Sequence, residues 1–285
     1  MKAFRYVLLL GLFVSSSLLC RCQDFTSESY LINSFYTYTS DSLPVNFNNS
    51  ITIKSEAINY GFKSGPQVVG FKVRNDSPNP SNLTGYIDNP LLDGVAIFEQ
   101  GRVVYINGEA FPFSSRARNL PGFSFKIDLG PFETKTFHVG VVSSEQIVIP
   151  VRVGEVDSID RLAVNHEIFY AIYFGLMFVM LLYNLFVYFS VRDIVYVYYV
   201  FYIAAVGLTQ LVLGGYANKY IWPSFPVIAI VASSVVPALS GIGTIVFARP
   251  FIRIKQHAPL IDKALLVYMG LYLISIILAC FGQHN

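Results

Sequence analysis

This sequence contains few charged residues. Only 13% of its 285 residues are Asp, Glu, Lys or Arg, and the formal net charge is +2. The Lys and Arg residues are scattered and form no basic stripe, so nucleic-acid binding has no electrostatic support. Apolar residues are abundant instead: 54% of the chain is hydrophobic and the mean hydropathy is +0.52. This balance is typical of a membrane protein and excludes an ordinary soluble protein of the same length.

Cysteine is equally scarce. Cys20 and Cys22 lie close to the N-terminus, and Cys280 lies near the end of the last apolar segment. The domain between them therefore has no pair of cysteines that could form a disulfide framework. Cys280 is predicted to pack as a small apolar side chain in a helix.

Recognisable catalytic and metal-binding patterns are also missing. The sequence has no metal-spaced His and Cys group, no Gly-x-Ser-x-Gly turn and no Gly-rich phosphate loop, and His138 and His166 stand alone. Asp88, Asp93 and Glu99 are predicted to be solvated surface carboxylates, because spacing cannot set the separation that an acid/base pair for sugar hydrolysis needs. We expect no enzyme activity, cofactor or metal in this part of the protein.

The N-terminus has the pattern of a secretory signal. Lys2 and Arg5 precede an apolar run at 6–19 that is too short to span a membrane comfortably. We predict a signal peptide at residues 1–22, with cleavage after Cys22. An uncleaved anchor and a lipoprotein signal are the alternatives.

Residues 24–155 are predicted to form an exported all-β domain. Short runs rich in Val, Ile, Phe and Tyr alternate there with turn residues. In residues 123–129, Phe and Ile alternate with Ser, Lys and Asp, which predicts a strand with one buried and one wet face. The predicted strands are 68–75, 82–87, 94–99, 102–106, 122–128, 134–141 and 147–153. An antiparallel sandwich of this length can bury a core.

Two arginines of this domain are the candidate ligand-binding residues. Arg116 and Arg118 lie in the loop-like stretch 112–121. Two guanidinium forks on a loop over a rigid sheet could grip a carboxylate or bracket a sugar hydroxyl. The alternative is a structural role, in which one arginine bonds loop carbonyls and the other lies in solvent.

The second half of the chain contains four apolar segments, which are predicted to be transmembrane helices. They lie at 168–191, 194–213, 227–248 and 264–281, and each is close to the roughly 20 residues that a membrane-spanning helix needs. Residues 156–167 are the predicted linker from the outer domain to the first segment. The interiors of the four segments carry no ionisable residue, which argues against an ion-coupled pump.

Charges at the ends of the segments predict their orientation. The connection assigned to the outside has one cation, Lys219. The cations assigned to the inner side are Arg192, Arg249, Arg253, Lys255 and Lys263. This distribution follows the positive-inside rule if the all-β domain is exported.

Three residues in the apolar segments are predicted to have structural or signalling roles. Asn184 and Gln210 should turn toward other helices, because an amide that faces lipid leaves its polar groups unsatisfied. Pro237 lacks an N–H and is expected to kink the third segment, as a hinge or as a static bend.

Several motifs resemble a family of bacterial membrane receptors. In the apolar half these are YFGLM at 173–177, LLYNLF at 181–186, SVRD at 190–193, YY at 198–199, GGY at 214–216 and YIWP at 220–223; in the outer domain they are NPLLDGV at 89–95 and Arg116. The chain is similar to the seven-transmembrane receptors with diverse intracellular signalling modules, the 7TMR-DISM family. The resemblance covers nearly all of the mature chain.

The resemblance implies a multi-domain membrane protein in which an extracellular, jelly-roll-like β-sandwich is followed by a helical transmembrane bundle. It implies a receptor that binds a small extracellular ligand such as a carbohydrate and signals to a cytoplasmic output domain, for example a histidine kinase or a cyclase. Four helices are present where the family has seven, so we expect a truncated receptor of the bacterial inner membrane, with its N-terminal domain in the periplasm or exterior. Membrane lipid and a second copy in a homodimer are the other expected partners. The alternative is a membrane-anchored glycan-binding or transport-accessory protein without signalling.

Overall fold

The computed structural model describes residues 58–63 and 65–281, and these fall into two compact units. The first unit includes the chain up to Ala163 together with Asn218–Ile230. The second unit includes Val164–Ala217 and the chain from Val231 onward. The predicted signal peptide lies outside the described residues, as does the start of the predicted β domain.

The first unit is built from β-strands, as the alternating pattern predicts. The strands within the described residues are β1 (Ile58–Gly61), β2 (Gln67–Arg74), β3 (Ser81–Ile87), β4 (Gly94–Glu99), β5 (Arg102–Asn107), β6 (Phe123–Leu129), β7 (Thr134–Val142), β8 (Ile147–Ile149) and β9 (Val151–Gly154). The strand predicted at 147–153 is divided at Pro150, because proline has no N–H to donate to a ladder. Its two parts join different sheets.

The strands form antiparallel sheets that pack as a sandwich. One sheet has the order β2-β7-β4-β5, a second has the order β6-β3-β9, and β1 pairs with β8. In the second sheet the register is set by pairs such as Gly85 with Phe125, and β9 pairs with the other edge of β3. The predicted sandwich is therefore confirmed.

The core lies between the sheets and is made of aliphatic and aromatic side chains. Phe123, Ile127 and Leu129 are buried on β6, whereas Lys126 and Asp128 between them are exposed, as the alternation predicts. Ser124, which the alternation assigns to the wet face, is buried as well. The core cluster of this unit is Val69, Phe71, Ile87, Leu92, Val95, Ile97, Phe123, Phe125, Ile127, Leu129, Phe137, Val139, Val141, Ile147 and Ile149. Burial of this many apolar side chains provides the main driving force for folding of the unit.

Long helices dominate the second half of the chain. The helices are α1 (Val156–Val191), α2 (Ile194–Leu213), α3 (Tyr216–Tyr220), α4 (Pro226–Phe251), α5 (Ile254–His257) and α6 (Pro259–Phe281). Among the described residues α1, α2, α4 and α6 are long and apolar enough to cross a membrane. Helix α1 has 36 residues and includes residues 156–167, so the predicted linker is helical and continuous with the first apolar segment.

Local residues determine where α1 ends and α2 begins. Arg192 adopts a left-handed backbone conformation with φ of 58°, which breaks the helix. The side chain of Asp193 then accepts a hydrogen bond from Val195 N at 3.0 Å and caps the start of α2. The chain therefore passes from one long helix to the next within two residues.

The helices of the second unit pack through small residues and aromatic rings. A side chain at Gly241 on α4 would lie 2.5 Å from the ring of Tyr272 on α6, so this close approach requires glycine. Phe247 on α4 contacts the rings of Tyr199 and Tyr202 on α2, with centroid distances of 4.7 and 5.9 Å. Small residues at helix contacts are typical of packing inside a bilayer.

Candidate ligand-binding site

The loop at 107–122, between β5 and β6, carries the predicted arginines. Its start is fastened to the end of the loop between β3 and β4, because Glu109 N donates to Leu92 O at 2.8 Å and Ala110 N donates to Asp93 O at 3.1 Å. Gly108 lies so close that a Cβ would be 2.0 Å from Asp93 O, so only glycine fits. These contacts place the side chains of Glu109 and Asp93 in the same region of the domain.

Arg116 is buried in this loop, which is unusual for an arginine. Its guanidinium carbon lies 4.7 Å from the ring centroid of Phe113 and 4.6 Å from that of Phe123. Its Nη1 donates to the carbonyls of Leu120 and Pro121. Rings and carbonyls therefore fix the plane and the direction of the guanidinium.

The other edge of this guanidinium is unused. Nε and Nη2 of Arg116 are buried and have no hydrogen-bond partner among the described residues. Burial lowers the pKa of Arg116 to about 10, opposed by the nearby Tyr105, Glu109 and Tyr86, so the group is still positive at neutral pH. A buried cation with two free donors is a strong candidate for binding an anion.

Glu109 is the second buried ionisable group of the cluster. It is 3% exposed, and its Oε2 has no hydrogen-bond partner in the described part of the chain. Burial, with a smaller contribution from the charge of Asp93, raises the pKa of Glu109 to about 8, while Arg116 acts in the opposite direction. Glu109 is therefore predominantly protonated at neutral pH and can donate as well as accept a hydrogen bond.

Asp93 and Tyr105 complete the cluster. Asp93 Oδ2 accepts from Ser144 N at 2.6 Å and from Ser144 Oγ at 2.8 Å, whereas its Oδ1 is buried without a partner among the described residues. The hydroxyl of Tyr105 is also buried without such a partner, and burial raises the pKa of Tyr105 to about 12. Asp93 is thus a partly buried, hydrogen-bonded carboxylate, contrary to the expectation of a solvated surface group, and burial raises its pKa.

Arg118 has a different environment from Arg116. Its Nη2 donates to both carboxylate oxygens of Asp160, which lies in the first turns of α1. The side chain of Arg118 is 27% exposed and that of Asp160 is 41% exposed. The structure therefore places Arg116 in a buried polar cluster and Arg118 in an ion pair with the first long helix, and does not bring the two forks together.

The end of the loop also packs on α1. Leu120 forms a buried cluster with Tyr86 on β3 and with Ile159 and Ala163 on α1. The hydroxyl of Tyr86 accepts a hydrogen bond from Gly122 N at 3.2 Å. The loop that holds Arg116 is thus attached to the start of α1 by an ion pair and by apolar contacts.

A third segment of the same unit, Asn218–Ile230, contacts the middle of the loop. Phe113 N donates to Pro223 O at 2.8 Å, and Ile230 packs against Ala110 and Phe111. The sequence has one tryptophan, Trp222, and it directly precedes Pro223. Trp222 is therefore a natural fluorescent reporter beside the loop.

The three predicted residues of the apolar segments have distinct surroundings. Asn184 is buried and its Nδ2 donates to Met180 O at 2.7 Å, within its own helix. Gln210 accepts a backbone hydrogen bond from Gly214 N at 3.0 Å at the end of α2. Pro237 lies inside α4, which continues on both sides of it.

Polar contacts between helices involve residues that the sequence analysis did not select. Thr209 Oγ1 lies 3.4 Å from Val236 O on α4 and donates to Ala205 O at 2.8 Å. Arg249 and Asp262 form a double hydrogen bond between α4 and α6, with distances of 2.6 and 3.1 Å. The last pair could have been found, because the two residues have opposite charge and flank a short connection between apolar segments.

A β-sandwich with a buried polar cluster, followed by four helices of membrane-spanning length, defines the chain as an integral membrane protein with a folded domain ahead of its helices. The family model for the 7TMR-DISM extracellular 2 domain matches residues 29–155, and the model for the 7TM diverse intracellular signalling domain matches residues 166–285. The chain belongs to the 7TMR-DISM family. Comparison with curated proteins and with solved structures gave no match.

Proposed function

We propose that this protein is the sensor part of a receptor that binds a small extracellular ligand of carbohydrate type and passes its occupancy through α1 to a cytoplasmic output domain. Membership in a family of signalling receptors supports the general class of membrane sensor. The observation that supports the relay is the loop at 107–122. It carries the buried Arg116 cluster and is attached to α1 through Arg118 and Asp160.

The relay follows from the continuity of α1. Its first turns contact the loop, and the same helix runs without interruption into the membrane-length segment. A continuous helix transmits a displacement better than a flexible linker, which absorbs the motion. A ligand that binds one position of the loop more tightly than another would shift the population of the two positions of α1 by that difference in affinity.

In this proposed receptor, the sandwich lies on the outer side of the bacterial inner membrane. Two observations support this orientation: the matching domain model is named for an extracellular domain, and the cations Arg192, Arg253 and Lys255 lie at one set of helix ends. An alkaline phosphatase fusion after Gly154 should be active, and a fusion after Arg253 should be inactive. The reverse pattern would contradict the orientation.

The Arg118–Asp160 ion pair provides the test of signalling. Cells that carry the gene at its own locus would be exposed to a panel of neutral sugars, sugar acids and amino acids, and the transcriptome would be recorded. We expect Arg118→Ala and Asp160→Ala to remove most of the wild-type response, because each change detaches the loop from α1. The exchange of the two charges, Arg118→Asp with Asp160→Arg, should restore a large part of it.

A matched control is available on the surface of the sandwich. Arg74 and Asp76 form an exposed ion pair at 2.7 Å, so Arg74→Ala removes the same charge without detaching the loop. The control should respond as the wild type does. A normal response in the Arg118→Ala and Asp160→Ala strains, or no response in the wild type to any compound, would contradict the proposal.

A further inference from the structure

Apart from Nδ2 and Oδ1 of Asn218, the buried side-chain polar atoms that lack a hydrogen-bond partner among the described residues lie on four residues at or beside the loop at 107–122. They are Nε and Nη2 of Arg116, Oε2 of Glu109, Oδ1 of Asp93 and the hydroxyl of Tyr105. Buried polar groups of folded proteins are nearly always hydrogen-bonded, since an unpaired one destabilises the fold. The unpaired donors and acceptors around this loop therefore indicate which chemical groups a bound ligand would need.

The orientation of the Arg116 guanidinium indicates one chemical group of the ligand. Nη1 is occupied by the carbonyls of Leu120 and Pro121, and the rings of Phe113 and Phe123 prevent rotation of the plane. Nε and Nη2 point along the remaining edge of a guanidinium as two parallel donors. Two parallel N–H groups match the two oxygens of a carboxylate.

The unpaired oxygens of the other three residues indicate the rest of the ligand. Asp93 Oδ1 accepts hydrogen bonds, and Tyr105 and protonated Glu109 both donate and accept them. Hydroxyl groups also donate and accept, so they fit such a mixed set. A neutral sugar would satisfy these oxygens but would leave the cation of Arg116 without a counter-charge.

We propose that the cluster of Arg116, Glu109, Asp93 and Tyr105 binds a small hydroxylated carboxylic acid, of the sugar-acid type, with its carboxylate on Nε and Nη2 of Arg116 and its hydroxyls on the three oxygen-bearing side chains. The inference rests on the proposed function, because it specifies the ligand of the same sensor. It adds a negative charge to the ligand, which neutral carbohydrates lack.

The charge balance of the cluster is compatible with a carboxylate ligand. Burial, with the charges of Asp93 and Glu145, raises the pKa of Glu109, and its neutral form does not repel an incoming carboxylate. Arg116 and the ligand carboxylate would then form the main ion pair of the site.

The test uses the whole chain in lipid nanodiscs and isothermal titration calorimetry at pH 7. The compounds are galacturonate, glucuronate and gluconate, the methyl esters of the two uronic acids, the neutral sugars galactose and glucose, and glycine. We expect at least one acid to bind and its methyl ester to bind at least tenfold more weakly, because the ester lacks the charge. Fluorescence of Trp222 should change with the binding acid, since its neighbour Pro223 contacts the loop.

Variants test the residues in the same assay. Arg116→Lys keeps the charge but removes the two parallel donors, so the affinity for the binding acid should fall at least tenfold. Arg74→Lys is the matched control on an exposed arginine and should bind as the wild type does. Since Arg116 also supports the loop, Tyr105→Phe provides a milder variant that removes one hydroxyl and should weaken the acid severalfold.

The outcomes of this experiment separate the sugar-acid inference from the proposed sensor function. Equal binding of an acid and its ester, tighter binding of a neutral sugar or of glycine, or binding of none of the acids would overturn the inference. A preference for a neutral sugar would leave the proposed sensor intact. The Arg118–Asp160 experiment addresses the sensor separately, because its readout does not depend on which compound of the panel binds.

Discussion

The two units of this protein differ in whether their polar side chains have hydrogen-bond partners. In the helical unit, several polar side chains donate to a carbonyl of their own helix: Thr209 donates to Ala205 O, Asn184 to Met180 O and Thr244 to Ser240 O, each four residues back. In the sandwich, by contrast, Arg116 and Glu109 are buried with atoms that no described residue satisfies. These groups without a partner among the described residues thus lie in the sandwich, where the proposed ligand would bind, whereas hydrocarbon around the helices would leave such groups unsatisfied.

The units also differ in how they use apolar side chains. Phe137 in the sandwich is 1% exposed and belongs to a closed core, whereas Phe186 on α1 is 71% exposed. A large exposed apolar surface would be a liability in water, but it suits a helix that hydrocarbon covers. Water is therefore the solvent against which the first unit folds, and lipid is the solvent of the second.

The largest expected effect comes from a matched pair of phenylalanines. Phe137→Ala should lower the free energy of unfolding of the sandwich by about 3–5 kcal/mol, because it leaves a cavity in a closed core. Phe186→Ala should change it by less than about 0.5 kcal/mol. Urea unfolding in nanodiscs, followed by Trp222 fluorescence, measures both; equal effects would remove the distinction between the two environments.

Titration of Glu109 should make the stability of the sandwich depend on pH. Because its folded pKa is raised to about 8 from an ordinary value of 4.5, the folded state holds a proton that the unfolded state has lost. Stability should therefore decrease as pH rises between these two values, by about 1.4 kcal/mol for each pH unit.

Glu109→Gln should remove this slope, because glutamine does not titrate. The measurement is the difference between the wild-type and Glu109→Gln unfolding free energies at pH 5, 6 and 7. A difference that stays constant across this range would show that Glu109 ionises normally. The comparison cancels contributions from other groups, such as His138, whose pKa burial lowers.

Alanine substitutions at two glycines, one in each unit, should have opposite effects on stability. A Cβ at Gly85 would lie 2.2 Å from the buried ring of Phe125, so Gly85→Ala should destabilise the sandwich by about 1–3 kcal/mol. At Gly175 on α1 a Cβ would meet nothing within 4 Å, so Gly175→Ala should stabilise that helix by about 0.5–1 kcal/mol. Thermal unfolding by circular dichroism would reveal the opposite signs.

The smallest expected effect concerns Thr209. Thr209→Val preserves the shape of the side chain and removes the 3.4 Å contact with Val236 O between α2 and α4. Because the hydroxyl is also satisfied by Ala205 O, the loss should be only about 0.6 kcal/mol, measured as SDS-induced unfolding in mixed micelles. Thr244→Val, on a hydroxyl that donates to Ser240 O within α4, is the control and should have a smaller effect.

Most of the fold could be predicted from local patterns. Alternation in residues 123–129 predicted β6 and its buried face, and four apolar segments predicted the four long helices within a few residues at most ends. Two predictions differ from the structure, and each difference has a local cause. Pro150 divides the last predicted strand, and residues 156–167 lack glycine and proline, so they form a helix rather than a loop.

The candidate site was predicted only in part. Arg116 was selected as a loop arginine, but nothing near it in the sequence indicates that Phe113 and Phe123 enclose it or that Glu109 is buried beside it. Arg118 was selected for the same reason, and its partner Asp160 lies 42 residues away. Such pairings depend on how β-strands and helices are brought together, which spacing along the chain does not encode.

The amino-acid sequence alone establishes a strand-rich domain followed by four apolar segments of membrane-spanning length, because periodicity and segment length are properties of neighbouring residues. The family was indicated by motifs that resemble those of its members. The free edge of Arg116 and the pairing of Arg118 with Asp160 on α1 become evident only in the folded protein. Burial and pairing of charges are set by residues that are distant along the chain and adjacent in space, and that adjacency exists only after folding.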